Sequence, residues 1–109
     1  MIFKSESRIQ SEIMLALSQN NCTVWRANAG KVTTKDGYTV KLLPEGFPDL
    51  FGFRHSDNQI FFVEVKNAKG KLREKQVLFQ NFANQHRLLY VVARSSEEAI
   101  EGICQTKSK

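Results

Sequence analysis

The chain is poor in the residues that build several common kinds of site. It holds two cysteines, Cys22 and Cys104, and two histidines, His55 and His86, in 109 residues. The cysteines lie far apart and neither has a neighbour at metal-ligand spacing, which argues against a zinc site. Two reduced, mostly buried thiols are expected instead. The histidines are equally isolated, each beside a turn or a helix end, and carry no expectation of catalysis. No apolar stretch approaches the ~20 residues that a membrane-spanning helix needs. The start, Met1-Ile2-Phe3-Lys4, lacks the apolar core of a signal peptide. A cytoplasmic protein with no membrane partner is therefore expected. There is no internal repeat and no linker, so one domain is expected over 1–109, ending in a short disordered tail at about 105–109. A chain of this size buries roughly 65% of its unfolded surface, enough for a self-standing core.

What the chain does have is a basic balance and a particular set of acids. Lysine and arginine number 16 against 11 acids, a net charge of +5. That is a modest bias toward polyanions. Its distribution says more than its sum. Lys66, Lys69, Lys71, Arg73 and Lys75 fall close together, with Glu74 as the one acid among them. Such a run reads either as a path for a phosphate backbone or as a solvated lysine-rich loop.

Periodicity places these residues on elements. Ser7 with Gln10 resembles a capping box, and a helix to about Gln19 follows, with Ile9, Ile13, Ala16 and Leu17 on one face. Glu12 borders that face. Thr23 to Ala27 reads as a strand. Val32 to Leu43 reads as a hairpin turning at Asp36-Gly37, with Val32 and Thr34 facing Tyr38 and Val40. Gly46-Phe47-Pro48 is a loop that delivers Asp49 to a strand from Leu50 to Phe53. Ser56-Asp57-Asn58 turns the chain into a central strand from Gln59 to Lys66. Its run Ile60-Phe61-Phe62-Val63 suits a strand covered on both faces. A helix follows from about Glu74 to Gln85, with Val77, Leu78 and Phe82 as its buried stripe. Leu88 to Ala93 is another strand. A second capping box at Ser95 and Glu98 opens a last helix carrying Ala99, Ile100 and Ile103. The order α-β-β-β-β-β-α-β-α gives a mixed sheet flanked by helices, an α/β or α+β fold.

Residues i and i+2 of a strand share a face, so Glu64 and Lys66 point the same way. An acid and an amine side by side, joined by Asp49 from a neighbouring segment, suit metal-assisted phosphodiester cleavage. Two carboxylates hold a hard cation such as Mg²⁺ through oxygen. The cation polarises a phosphate and generates a nucleophilic water, while the lysine orients that water or neutralises developing charge.

Gly46-Phe47-Pro48-Asp49-Leu50, Glu64-Val65-Lys66 and Gln76 together resemble the PD-(D/E)XK nuclease pattern in its VRR-NUC (virus-type replication-repair nuclease) form. The resemblance extends from Glu12 to about Ile100. It implies a restriction-endonuclease-like core with an extra β-hairpin. It implies that Asp49, Glu64 and the Val65 carbonyl ligate Mg²⁺ or Mn²⁺, and that Lys66 positions or helps deprotonate the attacking water. It further implies that Glu12, from the first helix, holds a metal-bound water or a second metal, and that Gln76 orients Lys66 or the nucleophile. Lys69, Lys71, Arg73 and Lys75 fall where the family has a basic loop. Trp25-Arg26-x-Asn28 also resembles a family stretch: Arg26 and Asn28 are candidate DNA contacts, and Trp25 is either another or a core residue.

The implied activity is that of a metal-dependent, structure-specific endodeoxyribonuclease. Small stand-alone phage and bacterial members are similar to Holliday-junction resolvases and are expected to act as homodimers on branched DNA. A flap or nicking endonuclease shares every residue named. A catalytically inactive nucleic-acid-binding module is the alternative from another class. The hairpin Val32 to Leu43 is open to either a DNA-contacting or a dimer-forming role.

Overall fold

The computed structural model describes residues 3–107, so Met1, Ile2, Ser108 and Lys109 lie outside it. Helix α1 (Glu6–Gln19) leads into strand β1 (Cys22–Arg26), a ribbon of β2 (Lys31–Thr33) and β3 (Thr39–Lys41), then β4 (Leu50–Arg54) and β5 (Ile60–Val65). Helix α2 (Glu74–Gln85), β6 (Leu89–Ala93) and a short α3 (Ser96–Ala99) follow, and α3 widens into a π turn at Ile100–Cys104. The element order and the mixed α+β class agree with the sequence pattern. One sheet runs β1-β4-β5-β6, and β2-β3 stands apart from it. β1, β4 and β5 pair antiparallel, whereas β5 and β6 pair parallel. A parallel pair needs a crossover, and α2 supplies it.

Helix α1 starts two residues earlier than its Ser7–Gln10 signature suggests. Ser5 is the N-cap, and its side chain accepts a hydrogen bond from the Arg8 N–H at 3.1 Å. Ile9, Ile13 and Leu17 then share one buried face. They meet Leu50, Phe61, Val63, Val65, Leu89 and Ala93 from the sheet, and Ala99 and Ile103 from the C-terminal turns. This is the main core. Arg54 ties the chain end to it, donating to the Ile103 carbonyl at 2.8 Å and to the Thr106 carbonyl. The chain is thus held into the region expected as a tail, of which Ser108 and Lys109 lie outside the described residues.

The opposite face of the sheet is aromatic. Phe47 makes edge contacts with Phe51, Phe62 and Phe79, and Phe79 also meets Tyr90. Helix α2 lies here, but not on the stripe expected of it. Val77, Leu78 and Phe82 are exposed, and the buried positions are Gln76 and Ala83, with Phe79 half-buried between them. The helix is rotated because Gln76 turns inward to a buried acid and Phe79 fills the aromatic cluster. Apolar periodicity alone misses a helix whose inner face opens with an amide.

The ribbon keeps its expected register, with Val32 opposite Val40 and the Thr34 N–H bonded to the Tyr38 carbonyl. Gly37, at φ +85°, makes the turn. Cys22 and Cys104 are free thiols, distant in sequence but with Sγ atoms 3.9 Å apart. Burial and the neighbouring Cys104 push the Cys22 thiol up to about 12. No helix among the described residues is long and apolar enough to cross a membrane.

The capping assignment is testable by denaturant unfolding. Ser5→Ala is expected to cost about 1 kcal/mol, and Ser7→Ala to stay within about 0.5 kcal/mol of wild type. Equal costs would place the cap elsewhere.

Candidate active site

The site forms where β1 and β5 end, β4 begins and the 46–49 loop meets α2. Gly46 sits at φ +86°, a region that favours glycine. A Cβ there would lie 2.4 Å from the Lys75 carbonyl oxygen. Close approach of this loop to the first turn of α2 therefore depends on glycine. The loop then places buried Pro48 and, next to it, Asp49. Asp49 does not swing free. Its Oδ2 accepts the Val65 N–H at 2.9 Å, and its carbonyl accepts the Ala27 N–H at 2.8 Å. The acid is thereby fixed between β1 and β5.

Glu64 stands beside it on the central strand, opposite Val92 of β6, and is only 1% exposed. Burial raises its pKa most, and the Asp49 carboxylate raises it further, while Lys66 pulls it back. The balance is about 9. Lys66 follows the end of β5, is 5% exposed, and anchors its N–H on the Ala93 carbonyl at 3.1 Å. Gln76 is pinned in one orientation: its Oε1 accepts the Arg73 N–H at 2.8 Å, and its Nε2 donates to both carboxylate oxygens of Glu64, at 3.3 and 3.4 Å. Half-buried Asp49 and buried Glu64, Lys66 and Gln76 therefore come together as a polar site in an apolar sheet.

Glu12 does not join them. It pairs with Lys4 at 2.9 Å and Arg8 at 3.5 Å, and the Lys4 hydrogen bond lowers its pKa. It borders a separate concavity with Arg94 and Ser95. The helix acid that does face the site is Glu6. Its charge raises the Glu64 pKa, and its Oε2 lies, with Lys66 Cδ, against Gly70. Its spacing to Ile9 and Ile13 puts it on the inner face of α1, a signal hidden when the cap is set at Ser7. Tyr90 is a second residue that sequence reasoning passes over. Its phenol is pushed up by burial and then by the charges of Glu64 and Asp49.

The basic residues scatter around this centre. Arg26 turns toward α1, bonding Ser11 at 3.0 Å and Met14 Sδ at 3.3 Å. Asn28 is exposed, and its carbonyl accepts the Leu43 N–H at 3.0 Å. Lys69 lies 4.5 Å over the Phe3 ring, and Lys75 pairs with Glu45 at 3.0 Å. Lys71 and Arg73 are exposed, and Arg73 with Lys75 edges the concavity that holds Asp49 and Gln76. Arg94 clamps the 67–70 loop, donating to the Asn67 carbonyl at 2.5 Å and the Gly70 carbonyl at 2.7 Å. Trp25 is 48% exposed on the aromatic face, so it is not a core residue.

A divalent cation fits this donor set. Two acids share a desolvated spot, and a hard cation takes such carboxylates and a strand-end carbonyl. Among the described residues no group of three or more histidine, cysteine or acidic side chains is already gathered in ligating geometry. Asp49, Glu64 and the Val65 carbonyl are the groups that would hold the ion.

A mixed sheet presenting an acid from a Pro-Asp loop, and an E-x-K from the central strand, is the arrangement of a nuclease-type domain. The VRR-NUC domain family matches residues 4–97, and the chain belongs to that family. A solved structure described as a VRR_NUC domain superposes with a TM-score of 0.64 at 20% identity, over 88% of this chain and 90% of that one. At that identity the likeness speaks for the fold. Among curated proteins none matches.

Two outcomes follow. Glu64 binds its proton more tightly folded than unfolded, so metal-free stability is expected to fall as pH rises from the ordinary carboxylate range through about 9. Denaturant midpoints in EDTA should show that decline in the wild type and lose it in Glu64→Gln; a decline of the same size in the variant would contradict it. Gly46→Ala is expected to cost more than about 1 kcal/mol from backbone conformation alone, and a variant as stable as wild type would show that the loop does not need glycine.

Proposed function

We propose that the chain is a metal-dependent endonuclease that hydrolyses DNA phosphodiester bonds at Asp49, Glu64 and Lys66. The observation that carries this is Glu64, buried to 1% beside a second carboxylate and pushed up to about 9. Lys66 offsets only one of the two acids, and a protein core gains little from holding the other. A pair kept at the strand ends, beside a groove edged by Arg73 and Lys75, is explained by a cation and a phosphate. When bound, Mg²⁺ or Mn²⁺ would polarise the phosphate and ease the loss of a proton from the attacking water.

The chain's own groups supply the rest. Asp49 and Glu64 carry the negative charge that would hold the ion, with the carbonyl of Val65, the residue after Glu64, as a third oxygen. Lys66 brings a donor to the developing charge on the phosphate. Gln76 keeps the Glu64 carboxylate in one orientation through its pinned amide. Glu6, rather than Glu12, serves as the helix acid.

A structure-specific activity is part of the proposal. The described elements form one sheet with its helices and a ribbon, which offer contacts to DNA shape and backbone. A homodimer would supply two sites in two-fold geometry, suited to a four-way junction. A flap or nicking activity uses the same residues. An inactive binding module is disfavoured by the intact acid-lysine set.

A cleavage panel of four-way junction, flap, splayed arm, duplex and single strand, each in Mg²⁺ and in EDTA, tests this. Wild type is expected to cut at least one branched substrate in Mg²⁺ only. Asp49→Asn and Glu64→Gln should each lower the rate by about 100-fold or more. Glu6→Gln should lower it by about 10-fold, and Glu12→Gln by less than about 3-fold. Undiminished cutting by Asp49→Asn would remove the site, and a wild type that binds junctions but cuts nothing would leave the inactive module.

A further inference from the structure

Resting on the nucleic-acid reading above, we propose that Lys31 and Lys41 form a phosphate clamp that carries the DNA backbone away from Asp49. The two lysines are direct partners across the β2-β3 ribbon. Directly opposed residues of an antiparallel pair share a face at close range, and like charges there destabilise the pair. Every residue of both strands is exposed, and the ribbon does not pair with the main sheet. An isolated two-stranded ribbon is marginal in water. It is a poor place to store repulsion unless an anion settles between the two ammonium groups.

The protein offers only a partial partner, Glu45, whose carboxyl is held below its usual range by Lys75 first and by Lys31 more weakly. Among the described residues neither lysine has a carboxylate within salt-bridge distance. Glu45, the acid lining the same concavity, is engaged by Lys75 at 3.0 Å. Glu74 lies further in, on the stretch beside Asp49.

The clamp is in line with the site. One concavity holds Asp49, Gln76 and Arg73, and the next holds Lys31 and Lys41. They share Gly30, Glu45 and Lys75, so they form one groove. Its direction is fixed by backbone bonds: the Leu42 N–H donates to the Gly30 carbonyl at 2.9 Å, and the Gly30 N–H to the Leu43 carbonyl at 2.8 Å. The Ala27 N–H closes the connection onto the Asp49 carbonyl at 2.8 Å. A strand whose phosphate sits at Asp49 therefore meets Arg73 first, and the lysine pair after it. The contact is sequence-independent, because a lysine reads a phosphate as a point charge.

The test measures binding without cleavage. Anisotropy of a fluorescein-labelled four-way junction in EDTA is followed across a salt series for wild type, Lys31→Gln/Lys41→Gln and Arg87→Gln. The double variant is expected to bind about 10-fold more weakly at low salt, with its log–log salt slope reduced by about 1 to 2. Its melting temperature should match or exceed that of wild type, since the substitution relieves repulsion. Arg87→Gln, past the far end of α2, should keep the wild-type slope. An unchanged slope and affinity in the double variant, while wild type binds and cuts, would overturn the clamp and leave the nuclease reading standing. The same holds if the double variant changes only the mass seen by light scattering, which would make the ribbon an arm between copies. A wild type that binds no DNA would bring down both readings.

Discussion

The conflict between the Asp49 and Glu64 acids, which cannot both be charged cheaply and so leave a proton on Glu64 below about pH 9, is the constraint around which the rest of the structure is arranged. Water would weaken it, but Glu64 is 1% exposed. The fold restrains both groups instead. Asp49 is pinned by the Val65 N–H, and Glu64 by the Gln76 amide. Each restraint depends on a distant choice of residue. Gln76 reaches Glu64 only because α2 turns its polar first turn inward and leaves Val77, Leu78 and Phe82 in water. Asp49 reaches Val65 only because Gly46 lets its loop press against Lys75.

The two faces of the sheet divide the work. The α1 side is a largely aliphatic core from Ile9, Ile13, Leu17, Val63 and Val65 around Phe61, and it fixes the strand ends. The other side is a set of edge-packed rings that hold α2 in place through Phe79. Aromatic pairs of this kind are directional as well as apolar. They set the position of a helix whose first turn must meet a buried acid. The ribbon belongs to neither layer. Its exposed strands make sense as a surface for something outside the chain.

Much of this was legible in the residues. The hairpin register follows from Asp36-Gly37, and the shared face of Glu64 and Lys66 follows from strand alternation. The short patterns around Asp49, Glu64 and Gln76 suffice to suggest the family, because three weak signals fall in order on suitable elements. The misreadings share one physical cause, a polar residue used on an inner face. Placing the cap at Ser7 leaves Glu6 outside the helix, so Glu12 takes its place in the reasoning. Only the fold shows Glu12 tied to Lys4 and Arg8 while Glu6 faces Lys66. Gln76 hides the true stripe of α2 in the same way. Proximity of Cys22 to Cys104, and of Tyr90 to the acids, depends on strand order, which local pattern does not carry.

The central claim is that the acid pair is kept for a cation, and calorimetric titration of Mg²⁺ into the metal-free protein tests it most directly. Binding is expected with proton release, because the ion displaces the proton that buried Glu64 holds below about pH 9. Affinity should therefore rise with pH, and Asp49→Asn should abolish it. Mg²⁺ binding that is absent in the wild type, or that survives unchanged in Asp49→Asn, would contradict the account.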